Sequence, residues 1–128
     1  MSSEQKFFIC KRCGNLTAFI KNSGVPMICC GEKLTELVPN TVEASTEKHL
    51  PVAVKSDNGL VVKIGSAAHP MEEAHHISFV YLLTDKGGQR KNPEIGKAPE
   101  VAFNLSGDKP LAVYAYCNLH GLWKTEIK

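Results

Sequence analysis

Residues 77–84 have the sequence ISFVYLLT, the segment of the chain that most clearly determines its fold. β-Branched, aromatic and leucine side chains make up most of this run, and Lys86-Gly87-Gly88 follow it as turn residues. We therefore predict a strand over residues 77–84 that is closed by those glycines. Similar short apolar runs lie on both sides of it, separated by Gly, Pro, Asn and Asp. They predict further strands at residues 52–54, 60–64, 101–105, 111–116 and 122–127.

The pattern from Thr41 onward is all-β. The strands at 52–54 and 60–64 flank Asp57-Asn58-Gly59, so we predict that they form a hairpin. No segment has a sustained helical period, although residues 71–76 could form one helical turn. Short strands separated by turn residues are typical of a β-sandwich or a small barrel.

The first part of the chain differs from the rest because it has few apolar side chains with which to build a core. Segments shorter than about 40 residues usually need a metal or disulfides in order to fold. Pro39-Asn40 is a turn-like break that follows this part. We therefore predict two domains, residues 1–38 and residues 39–128.

Composition excludes several classes of protein. Of the 128 residues, 43% are hydrophobic and 22% are charged, as in globular proteins. The net charge of +2 gives no strong field for nucleic acid, so we expect no nucleic-acid partner. No apolar run approaches the roughly 18 residues of a membrane span, and the start MSSEQK lacks a signal-peptide core. We expect a cytoplasmic protein without a membrane partner.

Four of the five cysteines form two pairs near the start of the chain. Cys10 and Cys13 have Cys-x-x-Cys spacing, in which two thiolates can bind one metal, whereas Cys29 and Cys30 are adjacent. Together they predict an all-sulfur tetrahedral site that is distorted at the adjacent pair and suits zinc or a single iron. A redox pair is disfavoured because no βαβ unit surrounds Cys10, and disulfides are disfavoured in a reducing compartment. A structural zinc site stays open, since spacing does not distinguish zinc from iron.

All five histidines lie in the second part of the chain, together with the fifth cysteine. Cys117 and His120 have Cys-x-x-His spacing and can chelate one metal from both side chains. Imidazoles with one thiolate suit iron, copper or zinc, and a blue-copper site would use fewer histidines. If the strand at 77–84 begins early, His75 and His76 point to opposite faces, so only one of them can reach the metal. Each histidine alone could be an ordinary surface or hydrogen-bonded residue. The set of candidate ligands is therefore His49, His69, one of His75 and His76, Cys117 and His120.

With both sets of residues in place, the chain resembles the desulfoferrodoxin family of two-iron superoxide reductases. The resemblance extends over nearly all 128 residues. It depends on CKRCG with CCG, followed in order by EKHLP, AHPMEEAHHI and CNLHGLW. It implies a rubredoxin- or desulforedoxin-like four-cysteine iron domain, followed by a catalytic domain with an immunoglobulin-like β-sandwich fold.

The resemblance also assigns residues to the two irons. One iron would be bound by Cys10, Cys13, Cys29 and Cys30. The catalytic iron would have His49, His69, His75 and His120 as equatorial nitrogen ligands and Cys117 as its axial thiolate. The family's pattern gives His76 no role. Two further residues match functional positions of the family: Glu47 matches a carboxylate that can close the sixth position after oxidation, and Lys48 matches the cation beside it.

The implied function is the one-electron reduction of superoxide to hydrogen peroxide at the catalytic iron. The implied partners are a rubredoxin-like electron donor and a second copy of the chain, which pairs through the N-terminal domain. Three alternatives remain. The chain could be a non-catalytic iron electron-transfer protein, or a structural metal-binding module with zinc at the four-cysteine site. It could also be a superoxide dismutase, which would need no external donor.

Overall fold

The computed structural model describes residues 4–128, which form two compact units, Glu4–Val38 and Pro39–Lys128. Residues 1–3 of the predicted first domain lie outside the described residues. The assignment of residues 1–38 and 39–128 as two iron-binding domains stays a prediction, because each unit is defined by its internal contacts alone.

Twelve strands and one short helix make up the regular structure of the described residues. The first unit contains β1 Phe7–Ile9, β2 Leu16–Ala18, β3 Ile28–Cys29, β4 Glu32–Lys33 and β5 Thr35–Leu37. The second unit contains α1 Thr46–His49, β6 Pro51–Lys55, β7 Gly59–Ile64, β8 Ile77–Thr84, β9 Gly87–Lys91, β10 Glu100–Asn104, β11 Pro110–Cys117 and β12 Gly121–Glu126. The only helix in these ranges has four residues, and no described helix is long and apolar enough to cross a membrane.

All strand pairs are antiparallel. In the first unit, β2, β1 and β5 form a sheet in that order, and β3 pairs with β4 as a separate hairpin. In the second unit, one sheet has the order β10-β7-β6 and the other has the order β12-β11-β8-β9. Each sheet contains at least one hairpin between strands that are neighbours in the chain.

The core of the second unit contains side chains from both of its sheets. β7 contributes Leu60, Val62 and Ile64, while β8 and β11 contribute residues such as Leu82 and Val113. Burial largely alternates along β7 and β8, because successive side chains of a strand point to opposite faces. The two sheets thus pack face to face, which confirms the predicted all-β sandwich.

The strand predictions agree with the structure at most positions. β8 has the predicted bounds, and the other five predicted strands lie within one residue of them at each end. The turn at Gly87-Gly88 was wrong, since both glycines lie in β9 and the turn consists of Asp85 and Lys86. The helical turn at residues 71–76 was also wrong. That segment is a loop closed by two reciprocal backbone hydrogen bonds between Glu72 and His75.

The pairing of β8 with β11 is irregular next to the candidate ligands. Tyr116 pairs with Phe79, but Cys117 pairs with Ile77, so Ser78 is left unpaired as a β-bulge. Bulges bend a strand and change the direction of the side chains that follow. This one lies where β11 ends at Cys117 and where the chain enters β8 from the loop that contains His75.

Candidate metal centres

Two turns bring the four N-terminal cysteines together. Gly14 donates its backbone N–H to the Cys10 carbonyl at 2.8 Å and has a φ of +83°, a conformation that suits glycine. The adjacent cysteines lie on the β3–β4 turn, where Cys30 and Gly31 have φ angles of +52° and +75°. This turn allows the side chains of Cys29 and Cys30 to reach a common point, although the two residues are adjacent in the sequence. The sulfur atoms of Cys10, Cys13, Cys29 and Cys30 all lie within 4.8 Å of one another.

The spacing and protonation of these sulfurs fit a metal. Cys13 Sγ is 3.5 Å from Cys29 Sγ, which is 4.0 Å from Cys30 Sγ. Tetrahedral bonds of about 2.3 Å place sulfurs roughly 3.8 Å apart. The backbone N–H of Cys13 lowers the pKa of Cys10 to about 6, whereas hydrogen bonds with Cys13 and Cys10 raise the pKa of Cys30 to about 12. Without a cation the sulfurs share protons, and a bound metal would allow all four to be thiolates.

The second group of ligand candidates comes from several segments of the β-sandwich unit. His49 ends α1, and His69 lies in the turn after β7. His75 precedes β8, and Cys117 ends β11 immediately before the turn with His120. His49, His69 and Cys117 have exposed fractions of 3%, 2% and 0%, so this group lies inside the unit.

The four imidazole rings form a nearly square arrangement. Ring centroids are 4.7 Å apart between His49 and His69, and 4.8 Å apart between His69 and His75. The other two sides are 5.1 Å from His75 to His120 and 4.9 Å from His120 to His49. The diagonal from His49 to His75 is 6.5 Å, and neighbouring rings cross at 74° to 90°. Four rings around a common centre are the arrangement that a four-nitrogen metal plane requires.

Backbone carbonyls determine which ring nitrogen of His49 and of His69 is available to bind a metal. His49 donates from Nδ1 to the Ser45 carbonyl at 2.6 Å, and His69 donates from Nδ1 to the Pro70 carbonyl at 2.7 Å. A carbonyl can only accept, so each Nδ1 has the proton and each Nε2 keeps a lone pair. The Nε2 atoms of His69 and His75 are buried without a hydrogen-bond partner. Leaving them unpaired costs about 1–3 kcal/mol each, and a metal would use both.

His120 contacts two of the other four candidate ligands of the second site through Nδ1. The ligand atoms of His49, His69, His75 and Cys117 all lie within 4.8 Å of one another. His120 Nδ1 is 3.1 Å from His49 Nε2 and 3.8 Å from Cys117 Sγ. Two metal–nitrogen bonds of about 2.1 Å at right angles separate their nitrogens by roughly 3.0 Å. The structure therefore brings all five predicted ligands of the second site together.

Burial keeps the innermost imidazoles in the form that binds metals. Burial lowers the pKa of His49 below its usual value and lowers the pKa of His69 to about 4. Neighbouring histidines and, at His49, the Lys48 cation act in the same direction. Both rings are neutral at pH 7, so no proton has to leave before a metal binds.

Glu47 and Lys48 lie on α1 immediately before His49, and both side chains are exposed. The turn after β7 holds this helix in place. Ala67 donates its backbone N–H to the Glu47 carbonyl at 3.0 Å, and Gly65 donates to the Leu50 carbonyl at 2.9 Å. The structure thus places a carboxylate and a cation in solvent on the same four-residue helix as a buried candidate ligand.

His76 and Trp123 complete the surroundings of the site. His76 directs Nδ1 to the carbonyls of Glu72 and Glu73, at 2.9 and 3.1 Å, and is absent from the imidazole square. Trp123 stacks on His49 with centroids 4.9 Å apart and an interplanar angle of 23°. Its Nε1 also donates to the His120 carbonyl at 3.1 Å. Sequence reasoning missed this supporting role, and the only trace of it is the tryptophan at the end of CNLHGLW.

The proteins that this chain resembles include desulfoferrodoxins and superoxide reductases. The profile of the Desulfoferrodoxin family matches residues 41–126. The desulfoferrodoxin of Syntrophotalea carbinolica is 40% identical over 126 residues, covering 98% of this chain and 99% of the relative. The crystal structure of the superoxide reductase from Treponema pallidum aligns with a TM-score of 0.80 and 39% identity, covering 96% of this chain and 99% of that one.

A shorter solved structure matches only part of the chain. The superoxide reductase (1Fe-SOR) from Giardia intestinalis aligns with a TM-score of 0.53 and 28% identity. The alignment covers 98% of that protein but only 64% of this chain. The family profile extends over most of the β-sandwich unit. The full-length relatives also align with the N-terminal part of the chain, which contains four cysteines. This chain belongs to the desulfoferrodoxin family.

Proposed function

We propose that this chain is a superoxide reductase, which adds one electron and two protons to superoxide and releases hydrogen peroxide. The observation that supports this most strongly is the near-square of four imidazoles beside the buried thiol of Cys117, with two buried nitrogens left unpaired. Membership of the desulfoferrodoxin family and the likeness to the Treponema pallidum superoxide reductase support the same activity.

The donor set of the second site suits a single iron. We assign the ligands as His49, His69, His75, His120 and Cys117. When bound, ferrous iron supplies the electron for the reaction. Four neutral imidazole ligands and one thiolate ligand would give a bound divalent cation a net charge near +1, which attracts an anion.

Two exposed residues of α1 have proposed roles in the reaction. The Lys48 cation raises the local positive potential toward superoxide and orders a water that donates a proton. The Glu47 carboxylate would be a ligand for a ferric ion held at the second site, because a hard oxygen ligand suits a hard cation. Exposure supports the role of Lys48, since its side chain has access to the solvent from which the substrate comes. The position of Glu47 on α1, two residues before the candidate ligand His49, supports the role of the carboxylate.

The four-cysteine site is proposed to hold a second mononuclear iron, with zinc as the alternative metal. The close approach of the sulfurs supports a tetrahedral ion of either kind. Residues 1–38 would then be a four-cysteine iron domain, and residues 39–128 would be the catalytic domain. Iron at the first site would either relay electrons or stabilise the small unit.

The reaction requires an external electron at each turnover, for which we propose a rubredoxin-like donor. A homodimer that forms through the first unit is supported by exposed apolar side chains there, such as Ile20, Val25 and Ile28, which are 107%, 71% and 60% exposed. Five free cysteines suit the reducing conditions of the cytoplasm, which we propose as the location.

Pulse radiolysis tests whether the second site reacts with superoxide. The ferrous protein should consume a pulse of superoxide faster than spontaneous dismutation, while protein loaded with zinc alone should not. His69→Ala removes a buried nitrogen donor and should abolish the acceleration.

The alternatives predict other outcomes of the same experiment. Protein that binds two irons but does not accelerate the decay of superoxide would be an electron carrier. Protein that binds zinc in preference to iron at both sites would be a structural metal-binding module.

A further inference from the structure

Asn118 joins the two loops that contain His75 and Cys117. Its Oδ1 accepts the backbone N–H of His76 at 2.8 Å, and its Nδ2 donates to the Ala74 carbonyl at 3.0 Å. Its own backbone N–H donates to the His76 carbonyl at 3.2 Å. The partners of Asn118 are thus the residues directly before and after His75.

The loop at residues 72–76 has few other connections to the rest of the unit. Its reciprocal Glu72–His75 bonds and the bonds from His76 Nδ1 stay inside the loop. In the part of the chain that the structure describes, the hydrogen bonds that join residues 72–76 to a distant segment all involve Asn118. Glu72, Glu73 and Ala74 are exposed, so burial of their side chains does not fix the loop either.

We propose that Asn118 is a positioning residue, which holds the His75 imidazole in register with the Cys117 thiolate. A metal ligand must be placed to within a few tenths of an ångström, and a ligand on an exposed loop needs support from neighbouring residues. The Asn118 amide fixes the peptide groups on both sides of His75, while Asn118 itself is bonded directly to Cys117. Movement of one ligand is thereby coupled to movement of the other. This inference depends on the proposed function only in requiring that iron binds at the second site.

Asn40 offers a matched control. Its Oδ1 accepts the backbone N–H of Lys124 at 2.9 Å, and its Nδ2 donates to the Lys124 carbonyl at 3.1 Å. Asn40 thus makes the same pair of side-chain bonds as Asn118, but its partner Lys124 is next to Trp123 and not next to a candidate ligand. Replacement of either asparagine by aspartate keeps the acceptor, removes the amide donor and directs a negative charge at a carbonyl oxygen.

The test compares Asn118→Asp and Asn118→Ala with the control Asn40→Asp. Iron affinity is measured by chelator competition, the ferric site by electron paramagnetic resonance, and stability by thermal unfolding of the metal-free proteins. Iron affinity at the second site should fall about 10- to 100-fold in both Asn118 variants, the usual effect of losing a residue that supports a ligand. The ferric resonance should change as well. Asn40→Asp should lose similar thermal stability but keep the parent affinity and resonance. Iron at the four-cysteine site provides an internal reference and should be retained in all variants.

Parent affinity and an unchanged ferric resonance in both Asn118 variants would overturn the proposal. Equal losses of iron in the Asn118 variants and in Asn40→Asp would also overturn it, since the effect would then be one of general stability. None of these measurements uses superoxide. A protein that passes them but fails to react with superoxide would contradict the proposed function and leave the role of Asn118 in place.

Discussion

At the scale of single residues, the second site depends on which nitrogen of each histidine faces inward. The carbonyls of Ser45 and Pro70 hold the Nδ1 protons of His49 and His69, and burial keeps both rings neutral. The lone pairs therefore point to the common centre before any metal is present. This preorganisation favours metal binding, because little reorientation of the rings is required.

Replacement of Lys48 by methionine should slow the reaction of the ferrous protein with superoxide. The rate constant should fall by a factor of about 2 to 10, the size expected for one unit charge acting through water. The rate should also depend less on salt than that of the parent. Pulse radiolysis at several ionic strengths provides the measurement.

Lys86→Met is the control for this change, because Lys86 is exposed in the turn after β8, at the opposite end of that strand from the site. It makes the same change in net charge and should leave the rate unchanged. Equal rates and equal salt slopes for Lys48→Met and the parent would exclude a role for Lys48 in attracting the substrate.

The candidate ligands were predictable from sequence, but their supporting residues were not. Histidines and cysteines beside turn residues are indicated by their type and spacing, and the resemblance to the family selected His75 over His76. Asn118 and Trp123 act on backbone atoms and rings of segments that are distant in the chain. No spacing within a motif indicates such partners, so only the folded chain reveals them.

At the scale of elements, α1 is placed by the turn that follows β7. The backbone N–H of Ala67 bonds to the helix and that of Gly65 bonds to Leu50 directly after it, and His69 comes two residues after Ala67. A Cβ on Gly65 would lie 2.7 Å from the Lys48 carbonyl oxygen, 2.8 Å from that of Glu47, and closer still to that of Ala67. Gly65 also has a φ of +85°. Only glycine allows the turn to approach the helix this closely.

Gly65→Ala should therefore displace α1 and weaken the second site. We expect the free energy of unfolding to fall by about 3 kcal/mol, from backbone strain together with steric overlap. Iron affinity at the second site should fall with it, because α1 contains His49. Denaturant unfolding and chelator competition provide the two measurements.

Gly107→Ala separates the cost of backbone strain from the cost of steric overlap. Gly107 has a similar φ of +87°, but a Cβ there would have no atom within 4 Å. This variant should lose only about 1 kcal/mol and keep its iron. A Gly65→Ala protein that is no less stable than Gly107→Ala would show that the turn does not constrain the helix.

The strands were more predictable than the other elements. Those that contribute to the core have apolar or β-branched residues bounded by turn residues, so their positions follow from local pattern. β9 was missed because its sequence, GGQRK, has no apolar residue, and its pairing depends on β8. α1 was missed because four residues are too few to show a helical period.

At the scale of the whole molecule, the two candidate metal sites lie in different compact units. All five proposed ligands of the catalytic iron belong to Pro39–Lys128, and the four cysteines belong to Glu4–Val38. The superoxide reductase (1Fe-SOR) of Giardia intestinalis matches 64% of this chain over 98% of its own length. The catalytic chemistry should therefore not require the first site.

Cys13→Ser should remove the metal and the visible absorption of the four-cysteine site while leaving single-turnover chemistry intact. Ferrous protein with this substitution should consume a superoxide pulse at a rate within about twofold of the parent, because every catalytic ligand lies in the other unit. Metal analysis and pulse radiolysis provide the measurements, and Cys117→Ser is the variant that should lose the reaction. A large loss of rate in Cys13→Ser would show that the first site takes part in the chemical step.

The proposed function requires that the chain reduces superoxide instead of dismutating it. The most direct test is the yield of hydrogen peroxide per superoxide consumed, measured anaerobically with the reduced, iron-loaded protein and a stoichiometric electron donor. A reductase gives a yield near one, with the donor oxidised in step. A yield near one half with the donor unchanged would mean dismutation and would contradict the proposed function.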